Sequence, residues 1–213
     1  MDITDRSFGT KTKYITDIYF DCETTGLNPY CSELITAFFY IDDDNTFELK
    51  ARPLDWSYEA QQIHKISLED AMNFPEKKHS YRELLKWLPK NFRFITFVNK
   101  NTELGIINFD VALLVNELNL LGTPNYWLEN TLGMKQPISV HTIARQLGSK
   151  GNFRPYVNPE TNRASYSQIN VYKALFGETY NAHDAKEDVM ALVRIHKELL
   201  RLKDENKTMF NFS

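Results

Sequence analysis

Tyr14-Ile15-Thr16-Asp17-Ile18-Tyr19-Phe20-Asp21-Cys22-Glu23-Thr24-Thr25-Gly26-Leu27 is an aromatic and β-branched run that ends in two carboxylates, two threonines and a glycine. It predicts a strand over residues 14–22, stopped by Gly26 and Asn28-Pro29. Side chains alternate across a strand, so Asp21 and Glu23 project from one face at its end. Two such carboxylates raise each other's pKa and destabilise the fold unless a proton, a basic partner or a cation relieves them, and a divalent ion is the natural partner. Taken alone, Asp-X-Glu is most often a solvated strand end. Gly26 lets the chain turn sharply and lets a ligand approach the backbone.

Outward from this strand, two more are predicted at 34–41 and 46–51, joined by the turn signal Asp42-Asp43-Asp44-Asn45. Three strands with short connections make an antiparallel meander. After Pro53 the apolar spacing turns helical at 58–65, 67–72 and 81–88. A strand follows at 92–98, and a helix at 109–121 stops at Gly122 with Pro124 beyond. Residues 123–136 read as a loop, 138–140 as a short strand and 141–147 as a helix. The segment 148–164, with Lys150, Arg154 and Arg163 among Gly, Pro and Asn, reads as a substrate-side loop. Helices at 166–176 and 185–202 complete the chain before a polar tail at 203–213, matched by a polar arm at 1–13. The pattern is that of one α/β domain, a mixed sheet with helices on its faces.

Two further acidic segments stand out. In Ala182-His183-Asp184-Ala185-Lys186-Glu187-Asp188, one continuous helix would set His183 and Asp188 about 140° apart. Asp184 with Glu187 reads instead as an N-cap and capping-box pair, which leaves His183 outside the helix and Asp188 in its first turn, so both can address one point. In Asn108-Phe109-Asp110-Val111 an acidic residue enters an apolar helix, by itself an ordinary helix-dipole placement.

In this order the segments resemble the three exonuclease motifs of the DEDDh class of 3′-to-5′ exonucleases, which includes the proofreading subunit of bacterial DNA polymerase III, RNase T and oligoribonuclease. The resembling residues are Phe-Asp-X-Glu-Thr-Thr-Gly-Leu at 20–27, Phe-Asp at 109–110 and His-Asp-Ala-X-X-Asp at 183–188. Gln62-Ile63-His64-Lys65-Ile66-Ser67 is similar to the class's Ile-His-Gly-Ile, with Lys65 in place of the glycine. The resemblance implies an RNase H-like mixed five-stranded sheet flanked by α-helices. It implies hydrolysis of the terminal phosphodiester with two Mg2+ or Mn2+ ions held by Asp21, Glu23, Asp110 and Asp188, and His183 as general base. Thr24, Thr25, Gly26, Leu27, Ile63, His64 and Phe109 are the implied substrate contacts. Many relatives carry His-Asn shortly before the second motif; this chain has Asn99 to Asn108 between strand and helix instead.

Composition agrees with this reading. The 213 residues are 42% hydrophobic and 25% charged, a globular profile with no membrane-length apolar run and no signal peptide, so a cytoplasmic protein of a bacterium or a phage-infected cell is expected. Cys22 and Cys31 are too few for a disulfide framework. A net charge of −3 argues against coating a long nucleic-acid backbone but suits gripping a 3′ end through bound cations. Single-stranded DNA is the expected substrate, in a replication or repair complex. The alternatives are trimming of RNA ends, a non-catalytic binding module, which predicts decay of a motif residue, and a zinc hydrolase on His64, His141, His183 and His196, whose spacings match no common zinc pattern.

Overall fold

A computed structural model describes residues 14–97, 99–102 and 105–210, with the side chains at 99–102, 105–107 and 206–210 left aside. The arm expected at 1–13 and the end of the tail at 211–213 lie outside the described residues. In chain order come β1 (Thr16–Thr24), β2 (Leu34–Asp42), β3 (Asn45–Lys50), α1 (Tyr58–His64), α2 (Leu68–Met72), α3 (Lys77–Trp87), β4 (Phe92–Thr96), β5 (Asn99–Thr102), β6 (Gly105–Asn108) and α4 (Phe109–Leu120). Then follow α5 (Asn125–Trp127), a π-helical turn (Leu128–Leu132), β7 (Lys135–Ser139), α6 (Val140–Ser149), β8 (Tyr156–Asn158), β9 (Arg163–Ser165), α7 (Gln168–Phe176) and α8 (Ala185–Phe210).

The main sheet has five strands in the order β3-β2-β1-β4-β7. The first three strands pair antiparallel as the expected meander, and β4 and β7 add in parallel. This is the mixed RNase H-like sheet that the resemblance implies.

Alternation in β1 sends Ile18 and Phe20 to one face, where they pack with Phe39, Phe94, Tyr81 and Leu84 of α3, and Leu113 and Leu118 of α4. The rings of Phe20 and Phe39 stack at 4.6 Å. On the opposite face Tyr19, Phe38 and Tyr40 meet Ala185, Val189 and Val193 of α8. Further along that face, Ile95 and Phe97 meet α6, α7 and the rest of α8. Both faces are thus covered, which is why β2 is apolar on both sides. The consequence for function is positional: α4 and α8 start on opposite sides of the end of β1, where the paired carboxylates stand.

Several elements differ from expectation. Residues 99–108 form a hairpin, β5 with β6, paired from Asn99↔Asn108 to Thr102↔Gly105. Its first strand is polar and carries no apolar alternation, so no period announced it. The segment 148–164 contains a second hairpin, β8 with β9. The loop at 123–136 holds α5 and the π turn, and α3 starts at Lys77 because its first turn is polar and only Ser80, Tyr81 and Leu84 are buried. The last helix passes its expected end at 202 and runs to Phe210. No Gly or Pro interrupts it, and Arg201 pairs with both Glu198 and Glu205 across that boundary.

Lys65 caps α1 in the left-handed conformation, with φ 61°, and its N–H donates to the Gln61 carbonyl. A glycine would suit this position better, because a Cβ there costs about 1 kcal/mol. Lys65→Gly is expected to raise the melting temperature by roughly 2–4 °C. A lower melting temperature in a thermal scan would count against the cap argument.

Candidate metal centre and active site

Asp21 and Glu23 lie on the same face of β1 as expected, opposite Phe38 and Thr36 of β2. The register shifts just after Glu23, and the chain then enters a fastened turn. Thr24 donates its hydroxyl to the Gly26 carbonyl at 2.7 Å. The Ser32 hydroxyl accepts from the Asn28 N–H at 3.1 Å. A Cβ at Gly26 would come within 2.8 Å of that hydroxyl oxygen, so close packing, not a left-handed φ, is what requires glycine here.

Asp188 arrives from the first turn of α8. The Asp184 carboxylate accepts from the N–H of Lys186 and Glu187 at 3.0 and 3.1 Å, as an N-cap does. His183 sits just before it with φ 69°, the left-handed turn that lets the chain double back over Asp188. Its N–H donates to Asp188 Oδ2 at 2.7 Å. Carboxylate oxygens of Asp21, Glu23 and Asp188 all lie within 4.8 Å of one another. Asp110, in the first turn of α4, approaches from the other side, its Oδ1 3.7 Å from the Cys22 thiol.

The electrostatics follow from this crowding. Burial and then the charges of Asp110, Asp188 and Glu23 hold the Asp21 carboxyl well above the usual range. Burial and the nearby Asp188, Asp184 and Asp110 push Glu23 up to about 7. Burial also raises Asp188, against the lowering pull of the Tyr180 hydroxyl and the His183 N–H. The same surroundings push the Cys22 thiol up, so it is an inert neighbour. A cluster of hard oxygen donors that cannot all ionise comfortably is a fitting seat for Mg2+ or Mn2+.

One cleft of about 460 Å³ is lined by Asp21, Glu23, Thr24, Gly26, Leu27, Ile63, His64, Phe109, Asp110, His183 and Asp188. Thr25 is the one expected contact that the structure turns away. It is buried, and its hydroxyl accepts from the Glu33 N–H at 2.9 Å, so it fastens the turn to the start of β2. His64 is only 6% exposed; its Nδ1 accepts from the Ile66 N–H at 3.0 Å, which puts the ring proton on the buried Nε2. The Asn99 side chain lies outside the described residues, while Asn108 caps α4 by accepting from the Val111 N–H at 3.2 Å. The four histidines weighed for zinc are not brought together; among the described residues the candidate metal cluster is the carboxylate one.

Sequence reasoning missed the residues that aim Asp188. The Tyr180 hydroxyl donates to its Oδ1 at 2.6 Å, and Gln168 Nε2 donates to its carbonyl at 2.6 Å and its Oδ1 at 3.3 Å. Neither carries a motif; a Tyr shortly before a His-X4-Asp and a Gln opening a helix were the only signals. Partners that orient a ligand typically matter 10- to 100-fold for metal affinity. Tyr180→Phe is expected to weaken Mn2+ binding by about 10-fold with the fold intact. Unchanged affinity by calorimetry would show that Gln168 and the His183 N–H suffice.

No known family's sequence pattern and no curated protein sequence matches the chain. Solved structures do match its fold. A zinc-bound complex of E. coli exonuclease I with single-stranded DNA superposes with a TM-score of 0.71 at 18% identity, over 91% of this chain and 43% of that one. Exonuclease I from Methylocaldum szegediense gives 0.72 at 18% identity, over 93% and 42%. A complex of exonuclease I with SSB-Ct gives 0.71 at 16% identity, over 91% and 44%. The chain therefore spans less than half the length of these structures, and the likeness is one of fold.

Proposed function

We propose that this chain is a metal-dependent 3′-to-5′ exonuclease that releases nucleoside 5′-monophosphates from single-stranded DNA. The observation that carries the reading is the convergence of Asp21, Glu23 and Asp188 within 4.8 Å, with Asp110 and His183 in the same cleft. Two divalent ions bound there would supply a nucleophile near neutral pH and neutralise charge growing on the phosphate. Asp21, Glu23 and Asp188 would hold them, with Asp110 beside Asp21. His183 is exposed at the rim and takes the proton from the attacking water, the task to which an imidazole is suited.

The cleft also has the shape of a nucleotide site. Leu27 and Ile63 are 73% and 50% exposed at its mouth, an apolar pair that a terminal base would cover. His64 lines the same cleft beside Ile63, where it can pack against the nucleotide. The single-stranded DNA in the exonuclease I complex supports DNA as substrate, and the SSB-Ct complex supports a partner in replication or repair. No helix among the described residues is long and apolar enough to cross a membrane.

The test is incubation of 5′-labelled single-stranded DNA and RNA of matched sequence with magnesium, manganese or chelator. A metal-dependent ladder shortening from the 3′ end establishes the activity, and the faster substrate decides between DNA and RNA. No degradation in any metal would leave the chain a binding module.

A further inference from the structure

We infer that the groove between the β8–β9 hairpin and α6 holds the backbone of the single strand on the 5′ side of the scissile phosphate. This rests on the nuclease reading of the neighbouring cleft and names how that site takes a longer strand. The groove encloses about 640 Å³ and is lined by Phe97, His141, Arg145, Arg163, Tyr166 and Gln168, among others. Gln168 belongs to both cavities, and its amide touches Asp188, so the groove begins where the carboxylate cluster ends.

The charge changes sign at that boundary. Asp21, Glu23, Glu59, Asp110 and Asp188 line the cleft, whereas among the described residues no Asp or Glu lines the groove. Arg145 and Arg163 are both exposed, and neither takes part in an ion pair among the described residues. Burial and then the Arg145 charge lower the His141 pKa, which favours its neutral ring, so the positive charge of the lining rests on the two arginines. A polyanion is what such a lining fits. The groove is also firmly built. The hairpin pairs at Tyr156↔Ser165, Val157↔Ala164 and Asn158↔Arg163, and Asn158 Oδ1 accepts from the N–H of Glu160 and Thr161 at 2.8 and 3.1 Å. Arg163 therefore stands on a braced strand end. Lys150 and Arg154, in the same loop by sequence, do not line the groove.

The test separates strand binding from chemistry. A 5′-fluorescein oligothymidylate of fifteen nucleotides is titrated in chelator across a range of salt, with wild type, the Arg145→Ala/Arg163→Ala double variant, each single variant, and Arg82→Ala on α3 as a control matched in charge to the single variants. Hydrolysis of a thymidine dinucleotide, too short to reach the groove, is followed in magnesium. Losing two phosphate contacts flattens the log K against log salt slope by about 1.4 and weakens binding by about 10-fold or more near 100 mM salt. Dinucleotide hydrolysis stays within about twofold of wild type, and Arg82→Ala binds as wild type does. Equal affinity and slope in the double variant overturn the groove, as does a wild type that binds no oligonucleotide. An equal loss on the dinucleotide also overturns it, because the arginines would then act through the catalytic cleft. Arginine-dependent binding without hydrolysis of either substrate leaves the groove standing and removes the exonuclease reading.

Discussion

Asp21→Asn is expected to lower the exonuclease rate by about 10³-fold or more while making the metal-free protein more stable at pH 8. The rate loss follows from removing a carboxylate at the centre of the cluster, since metal-assisted charge stabilisation contributes several kcal/mol to such reactions. The gain in stability comes from the same crowding. Asp21, Glu23 and Asp188 all have raised carboxyl pKa values, with burial the first cause in each. A group whose folded pKa lies above its unfolded value contributes stability that is complete below the unfolded pKa and lost as pH rises through the folded one. For Glu23 that window opens near its ordinary value of 4.5 and closes around 7.

The metal-free wild type should therefore melt at falling temperature as pH rises across this window. Glu23 contributes at most about 3 kcal/mol of that fall, which is several degrees for a chain of this size. Magnesium should restore the loss, more at pH 8 than at pH 5, because it binds the ionised carboxylates. Asp21→Asn should show a shallower pH dependence and a smaller response to magnesium. Thermal scans at both pH values, with and without magnesium, check all of this. A wild-type melting temperature that climbs between pH 5 and pH 8 in chelator would sink the argument.

Glu117→Ala is expected to cost about 3–5 kcal/mol, near 10 °C in melting temperature, without touching the cleft. Glu117 is 4% exposed on α4 and accepts from the Tyr81 hydroxyl, Lys77 Nζ and, at 3.3 Å, the Leu34 N–H. Lys77 also pairs with Glu33 at 2.9 Å, and Glu33 accepts from the N–H of Leu54 and Asp55 at 2.6 and 2.9 Å. One buried carboxylate thus ties α3, α4, β2 and the approach to α1. Truncation leaves a phenol and an amide without this acceptor and the Lys77 ammonium with Glu33 alone, and burial already pushes the Tyr81 hydroxyl up, so it cannot relieve the loss by ionising. Glu117→Gln keeps an acceptor for Tyr81 and should cost less. Denaturant unfolding measures both, and a loss below about 1 kcal/mol for the alanine variant would mean the network is replaceable by water.

The strands β1 to β3 were legible because their aromatic and β-branched runs and the Asp42 to Asn45 turn are local signals. The capping of α8 was legible for the same reason: Asp184 and Glu187 act within one turn. That local cap freed His183 and Asp188 to meet, so a geometric problem in the sequence had a local answer. The hairpin β5–β6 was not legible, since polar strands advertise no face. Thr25 was misjudged as a substrate contact because its repeated neighbour Thr24 has the same chemistry. Which of two adjacent hydroxyls turns inward is decided by Glu33, eight residues away.

By itself, then, the sequence determined the carboxylate set, the histidine beside it and the order of the sheet's first three strands. Local residue type marked the strands, whereas the carboxylates and the histidine stood out through the resemblance of three motifs in order, since Asp-X-Glu or Asp110 alone reads as an ordinary residue. Only the tertiary structure decided that Asp110 and Asp188 reach Asp21 from helices on opposite faces of the sheet, that Tyr180 and Gln168 aim Asp188, and that Arg145 and Arg163 share a groove beside them. Those arrangements depend on how α4, α6, α7 and α8 settle on the sheet. Their packing is set by many apolar contacts between distant segments, and no single stretch of chain carries the information for it.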